Sequence, residues 1–397
     1  MKRAYAVIGA NYGDEGKGLI TDYLASQDPD NTLVLRFNGG AQAGHTVMEY
    51  ESGRRHVFGH FGAGTMSGAA TYLSRNFIVN PLLFRKEWHQ LKRLGVSPEI
   101  SLHGHAPVST PVDMLINQLL EDSRNEGRHG SCGIGINETV TRSLRSRALN
   151  ICVEDLADKR LLKAKLKLVR TLWVDLRLQE LGLALPEDRR EESKQFELIS
   201  SPESLLEIEE EFLEAADFML ENSEVSYNAP AADTYIYEGA QGLLLNMDRA
   251  DLFPHVTRSR TGVAVPAAMA ASAGYKSLEV IYVTRSYLTR HGAGPLPDEA
   301  AFKHQDRTNL ENAYQGKLRF APLDLRTIKH SIELDLDSAR FSNIELDAKL
   351  ALTCLDQQLL DERELPLPLA FKSFGPTRQD VIPSHHRAIA PQLVHMH

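Results

Sequence analysis

Short runs of apolar residues alternate along the chain with glycine-rich or polar segments. Five runs, Tyr5–Ile8, Thr32–Phe37, Tyr235–Tyr237, Glu279–Val283 and Lys349–Thr353, read as buried strands of a parallel sheet. The residues just past their C-terminal ends are mostly glycine-rich or polar, and in open α/β sheets ligands bind there. Leu19–Ala25, after the first run, reads as a helix. From residue 155 to 224 the pattern changes: Leu, Glu, Lys and Arg dominate, and Lys159–Val174 and Ser204–Asn222 carry apolar residues at helical spacing. The charges there read as a solvated helix face. Pro230 with Ala231-Ala232 marks the return to the sheet. The expectation is one α/β domain over 1–397, a mostly parallel central sheet with flanking helices, with a helical insertion subdomain at 155–224.

Composition narrows the classes. The 397 residues are 42% hydrophobic and 24% charged, ordinary for a globular enzyme with a large core. A net charge of −9 argues against nucleic acid as a partner. The three cysteines form no CxxC pair, so neither a disulfide framework nor a structural zinc is expected, and the reading is a reducing, cytoplasmic compartment. No apolar run approaches the roughly 18 residues that span a membrane, and the stretch after Met1-Lys2-Arg3 is too short for a signal peptide. His385-His386 reads as a chance surface pair.

The first run ends in Gly13-Asp14-Glu15-Gly16-Lys17-Gly18. Free N–H groups at a helix start, with a lysine, make a phosphate cradle, so the sheet is expected to be P-loop-NTPase-like. It is not a Walker A loop, because Asn11 and Gly18 stand where that motif has Gly and Ser or Thr. Two carboxylates inside a phosphate cradle need a reason, such as Mg²⁺ binding or proton abstraction; a plain strand-to-helix turn is the alternative. After the second run comes Asn38-Gly39-Gly40-Ala41-Gln42-Ala43-Gly44-His45-Thr46, where His45 is a candidate acid for a phosphate leaving group. Glu238-Gly239-Ala240-Gln241-Gly242 offers Gln241, donor and acceptor for a purine edge, and Thr257 is a candidate phosphate contact. Thr289-Arg290-His291-Gly292-Ala293-Gly294-Pro295 and Tyr314-Gln315-Gly316-Lys317-Leu318-Arg319 combine glycine turns with cations suited to carboxylate or phosphate. Asp356, after the last run, suits a guanine N1–H and 2-amino group, or a simple capping role.

In this order the motifs resemble the adenylosuccinate synthetase family, from Gly9 to about Arg378. The resemblance implies a ligase that adds L-aspartate to C6 of a 6-oxopurine 5′-monophosphate, normally IMP, driven by GTP or ATP with Mg²⁺ through a 6-phosphoryl intermediate. It further implies that Asp14 is the base at N1 and a Mg²⁺ ligand, and that Gly44 gives the metal a carbonyl. His45 would be the acid, Lys17 would hold donor phosphates, and Gln241 would contact the purine. Gly13, Glu15, Gly16, Gly18, Thr46, Asp356, Ser373 and Gly375 would line the donor nucleotide. Asn38, Gln42, Ser131, Thr257, Gln315, Lys317 and Arg319 would serve substrates. A homodimer with a shared active site is implied, with Arg142 or Arg145 as the arginine donated across it.

The chain departs from the family pattern at several points. Tyr314–Arg319 lacks at least two cations of an arginine-rich loop, Gln42 replaces an Asn, Gly130-Ser131-Cys132-Gly133 replaces a Thr-Thr-Gly segment, and Cys354 replaces a Lys. These features are similar to the viral 2-aminoadenylosuccinate synthetase branch, which takes dGMP and can use ATP. Retention of Asp14 favours IMP or an intermediate branch. A catalytically silent nucleotide-binding regulator is the alternative of another class.

Overall fold

A computed structural model describes residues 2–124, 131–183, 194–299 and 318–384. Ten strands form the main sheet: β1 (Arg3–Gly9), β2 (Thr32–Arg36), β5 (Ala70–Leu73), β6 (Ile100–His103), β7 (Glu224–Ser226), β8 (Thr234–Gly242), β9 (Ser277–Arg285), β12 (Glu345–Thr353), β13 (Leu369–Ser373) and β14 (Val381–Pro383). Their spatial order is β14-β13-β12-β9-β1-β8-β2-β5-β6-β7. All neighbours run parallel except β13 and β14. The five strands expected from the apolar runs are the contiguous centre, β12-β9-β1-β8-β2, where burial on both faces demands unbroken apolar sequence. Two antiparallel ribbons stand apart: β3 (His45–Met48) with β4 (Arg55–Phe58), and β10 (Tyr287–Arg290) with β11 (Arg319–Pro322).

The period of two sorts side chains between faces. Ala4, Ala6 and Ile8 pack with Tyr237, Val280 and Leu350 towards α9 (Ala264–Ser272) and α10 (Leu325–Ser338). Val7 packs with Val34, Ile236 and Ile281 against Ile20 and Leu24 of α1 (Lys17–Ala25). α1 begins two residues earlier than expected because Gly16, in the left-handed region, turns the chain into it.

The expected helical stretch contains α5 (Lys159–Leu168), a π-helical turn at Val169–Trp173, α6 (Val174–Glu180), α7 (Lys194–Ser200) and α8 (Pro202–Glu221). Leu162, Trp173 and Phe212 of this stretch share one core with Phe58, Phe84 and Ile116. Those residues come from β4, α2 (Pro81–Arg93) and α3 (Pro111–Ser123), and α4 (Ile136–Arg145) follows α3. The helical stretch therefore shares its core with the β3–β4 ribbon, α2 and α3. No helix among the described residues is long and apolar enough to cross a membrane, and the three cysteines are unpaired.

Candidate active site

Because β12, β9, β1, β8 and β2 are parallel neighbours, the loops after their C-terminal ends meet along one rim. There they line a cavity of about 940 Å³. Of the expected site residues, the cavity wall includes Gly13, Asp14, Glu15, Gly16, Lys17, Gly18, Gln42, Gly44, His45, Thr46, Ser131, Gln241, Thr257, Asp356 and Gly375.

The loop after β1 answers part of the puzzle of acid in a phosphate cradle. Glu15 turns its carboxylate inward: Oε1 accepts from the Asn11 and Gly13 N–H groups at 3.0 and 2.8 Å, and Oε2 from Lys17 Nζ at 2.7 Å. Glu15 is thus a built-in anion that shapes the loop, and the Gly13 N–H is already engaged. Both residues stand in the cavity wall, with the Glu15 carboxylate and the Gly13 N–H spent on the loop itself. Gly242 makes room for the carboxylate, since a Cβ there would come within 2.7 Å of Glu15 Oε1 and 2.3 Å of the Asn11 carbonyl oxygen. Thr353 Oγ1 donates to the Glu15 carbonyl at 2.7 Å and ties the loop to the end of β12.

Asp14 is held apart from Glu15 by a left-handed backbone, φ 62°. Only a few per cent of non-glycine residues adopt such a conformation, and they cluster at functional sites. The Arg285 Nε donates to its carbonyl, and its carboxylate lies in the cavity wall with His291 Nε2 3.6 Å away. Gln241 and Cys354, which also line the cavity, have φ 65° and 60°.

His45 opens β3 and packs against the start of α1. A Cβ on Gly18 would lie 2.9 Å from His45 Cβ, which is why glycine stands in the Walker A serine position. His45 Nδ1 sits 2.6 Å from Glu238 Oε1, and Glu238 Oε2 accepts from the Ala63 N–H at 3.1 Å. Nε2 is the ring nitrogen left to serve a ligand. Burial is the largest influence and pushes the His45 pKa down; Glu238 opposes it, and Arg36 and Lys17 reinforce it. Burial alone would raise Glu238, but His45 and Arg36 outweigh it and hold the carboxyl below its ordinary value. A triphosphate beside His45 would supply the negative charge that favours imidazolium. In the sequence Glu238 is visible only as part of the Glu238–Gly242 motif; a carboxylate three residues before Gln241, inside the strand, is the available signal.

Several expected contacts are corrected. Asn38 does not reach the cavity: its side chain donates to the Ala240 carbonyl at 3.2 Å and accepts from the Ala240 N–H at 2.8 Å, joining the loops after β2 and β8. Ser373 is fully buried and donates to the Gly375 carbonyl at 2.7 Å, so it shapes the last loop from behind. Arg142 is also fully buried. It forms an ion pair with Asp113 at 2.8 Å and donates to the Val108 and Leu149 carbonyls, so it cannot be lent to a neighbouring subunit. Arg145, the other candidate, is about half exposed. Arg319 is held by Glu299 and by the Gly292 and Gly294 carbonyls. Gln315, Lys317 and His385-His386 lie outside the described residues. Gln42, in contrast, has both amide atoms buried without a partner in the cavity wall.

A metal was expected at Asp14 and Gly44. Among the described residues there is no cluster of three or more His, Cys, Asp or Glu able to hold an ion. One carboxylate and a backbone carbonyl are hard oxygen donors, few in number. That set fits Mg²⁺, which takes one or two carboxylates and completes its shell with phosphates and water.

The chain is similar to known proteins over most of its length. A family model described as adenylosuccinate synthetase matches residues 6–341. The adenylosuccinate synthetase of Bordetella avium is 28% identical over 400 residues, covering 98% of this chain and 85% of its own. That of Borrelia turicatae is 28% identical over 359 residues, covering 89% and 76%. Among solved structures, fully ligated adenylosuccinate synthetase from Plasmodium falciparum superposes with a TM-score of 0.65 at 19% identity, covering 96% of this chain and 100% of that one. Cyanophage S-2L succinoaminodeoxyadenylate synthetase, bound to dGMP and dATP as an energy donor, superposes with a TM-score of 0.59 at 17% identity, covering 96% and 95%. The match to the family model over most of the length decides the assignment: this chain belongs to the adenylosuccinate synthetase family, a family of carbon–nitrogen ligases of purine biosynthesis.

Proposed function

We propose that this chain joins L-aspartate to C6 of a 6-oxopurine 5′-monophosphate, with IMP as the substrate and adenylosuccinate as the product. One observation carries the reading: Asp14 and His45, from the loops after β1 and β2, line the same cavity with Lys17 and Gln241. The 6-oxygen is a poor leaving group, so it must be activated by phosphorylation. Asp14 removes the N1 proton, which builds negative charge on O6, and O6 attacks the γ-phosphorus of the triphosphate. His45, oriented by Glu238, gives a proton through Nε2 to the departing diphosphate. Lys17 compensates charge on the transferred phosphoryl. Gln241 hydrogen-bonds the purine. The aspartate amine then attacks C6 and displaces phosphate. When bound, Mg²⁺ would be held by Asp14 and the Gly44 carbonyl and would neutralise phosphate charge.

One feature fits the (d)GMP branch through its use of ATP: beside Asp356 the cavity wall carries Cys354 and not a fixed cation, so the donor base is less tightly specified. A silent regulator is disfavoured because Asp14, Lys17, His45 and Gln241 share one wall. A homodimer is part of the proposal, with Arg145 as the arginine exposed for a partner site. The test is aspartate-dependent phosphate release with IMP, GMP and dGMP, each with GTP and with ATP. Turnover with IMP is expected. Turnover with guanine nucleotides alone would replace IMP by (d)GMP, and none at all would leave the regulator.

A further inference from the structure

Among the described residues six arginines line the cavity: Arg55, Arg124, Arg177, Arg258, Arg285 and Arg290. Five are engaged. Arg124 pairs with Glu121 at 2.6 Å and Arg177 with Glu138 at 2.7 Å. Arg285 donates to the Asp14 carbonyl, Arg290 donates to the Pro295 and His255 carbonyls, and Arg55 has a partner of its own. Arg258 makes no hydrogen bond or ion pair among the described residues, whereas Arg260 nearby pairs with Asp248 at 3.2 Å. A guanidinium left without a counter-charge in a cavity wall favours an anionic ligand.

The backbone around Arg258 is pinned on both sides. The Thr257 N–H donates to the Leu245 carbonyl at 2.8 Å, and Ser259 Oγ accepts from the Gly39 N–H at 3.0 Å. The loop is thereby docked on the segment that leads to Gln42, whose amide is buried without a partner. Donor phosphates belong to the separate Gly16–Gly18 turn at the start of α1. Thr257 and Ser131, the neutral groups expected at the monophosphate, carry no charge to match a phosphate dianion, and Arg142 is sealed behind Asp113.

We propose that Arg258 binds the 5′-phosphate of the nucleoside monophosphate, as a cation supplied from within the same chain. The inference rests on the functional reading above for the identity of the nucleotide, but its test needs no turnover. Calorimetry would compare the binding of IMP and dGMP with that of inosine and deoxyguanosine, which lack the phosphate. In Arg258→Ala the monophosphates are expected to bind about 10- to 100-fold more weakly, the worth of a charge-assisted hydrogen bond, with nucleoside and NTP binding unchanged. Arg258→Lys should recover part of the loss, since it keeps the charge without the fork. Unchanged monophosphate affinity in Arg258→Ala, or an equal loss for nucleosides or for the NTP, would overturn the assignment. Failure of the functional reading would show separately, as wild-type protein that releases no aspartate-dependent phosphate.

Discussion

Glu238 Oε1 lies 2.6 Å from His45 Nδ1 across 193 residues of sequence, with both side chains almost completely buried. A buried imidazole whose Nδ1 is fixed in this way has one nitrogen left for chemistry and one orientation in which to present it. Glu238→Gln keeps a hydrogen-bonding partner and removes the charge that supports imidazolium. Turnover is expected to fall by roughly 100-fold, the lower range of a general acid's contribution, with little change in KM for either nucleotide. Steady-state kinetics checks this; an unchanged kcat would separate Glu238 from the chemistry.

Asp14→Asn is expected to abolish product formation while NTP binding stays mostly intact. Asn retains the side chain's size but has no basic oxygen for the N1 proton. Equilibrium binding of an NTP analogue beside a phosphate-release assay tests the two halves. Normal turnover in the variant would remove Asp14 from its assigned role.

Gly18→Ser would restore the Walker A residue and is expected to impair the enzyme. The new Cβ would meet His45 Cβ at 2.9 Å and the Thr46 carbonyl oxygen at 3.3 Å, so the β3–β4 ribbon must shift. A loss of kcat, with a stability change on the order of 1–3 kcal/mol from overpacking, is the expected outcome in kinetics and denaturant melts. A fully active, equally stable variant would show that His45 tolerates displacement.

Asp335 offers a pH-dependent test of the core. It lies on α10, accepts from the Val263 N–H at 3.0 Å and from the Tyr282 hydroxyl at 2.8 Å, and burial pushes its pKa up to about 6 from an ordinary 3.8. The folded chain therefore keeps a proton that the unfolded chain releases between those values. Stability falls as pH rises through that window and is flat above it. Asp335→Asn removes that cost, with a ceiling of about 3 kcal/mol from the size of the shift. Thermal melts should show the variant gaining on wild type from about pH 4 to pH 7, with the gap closing again in acid. A separation independent of pH would contradict the assignment.

Local pattern was enough to place the central strands, because a strand buried on both faces must be apolar along its whole length, and Thr32–Phe37 or Glu279–Val283 carry that property within themselves. It was enough to place α1 and the glycine turns, and so to bring Asp14, Lys17, His45 and Gln241 to one rim. Which polar atoms meet was decided only by the tertiary structure. Asn38 is consumed by Ala240, 202 residues away, and Arg142 by Asp113, while Arg258 is left open to the cavity. Glu15 and Asp14 are adjacent in sequence, yet one carboxylate is folded into the loop as a structural anion and the other faces the cavity. Hydrophobic periodicity is a local property of the chain. The role of a charged side chain depends on which opposite charge or buried dipole the fold brings beside it.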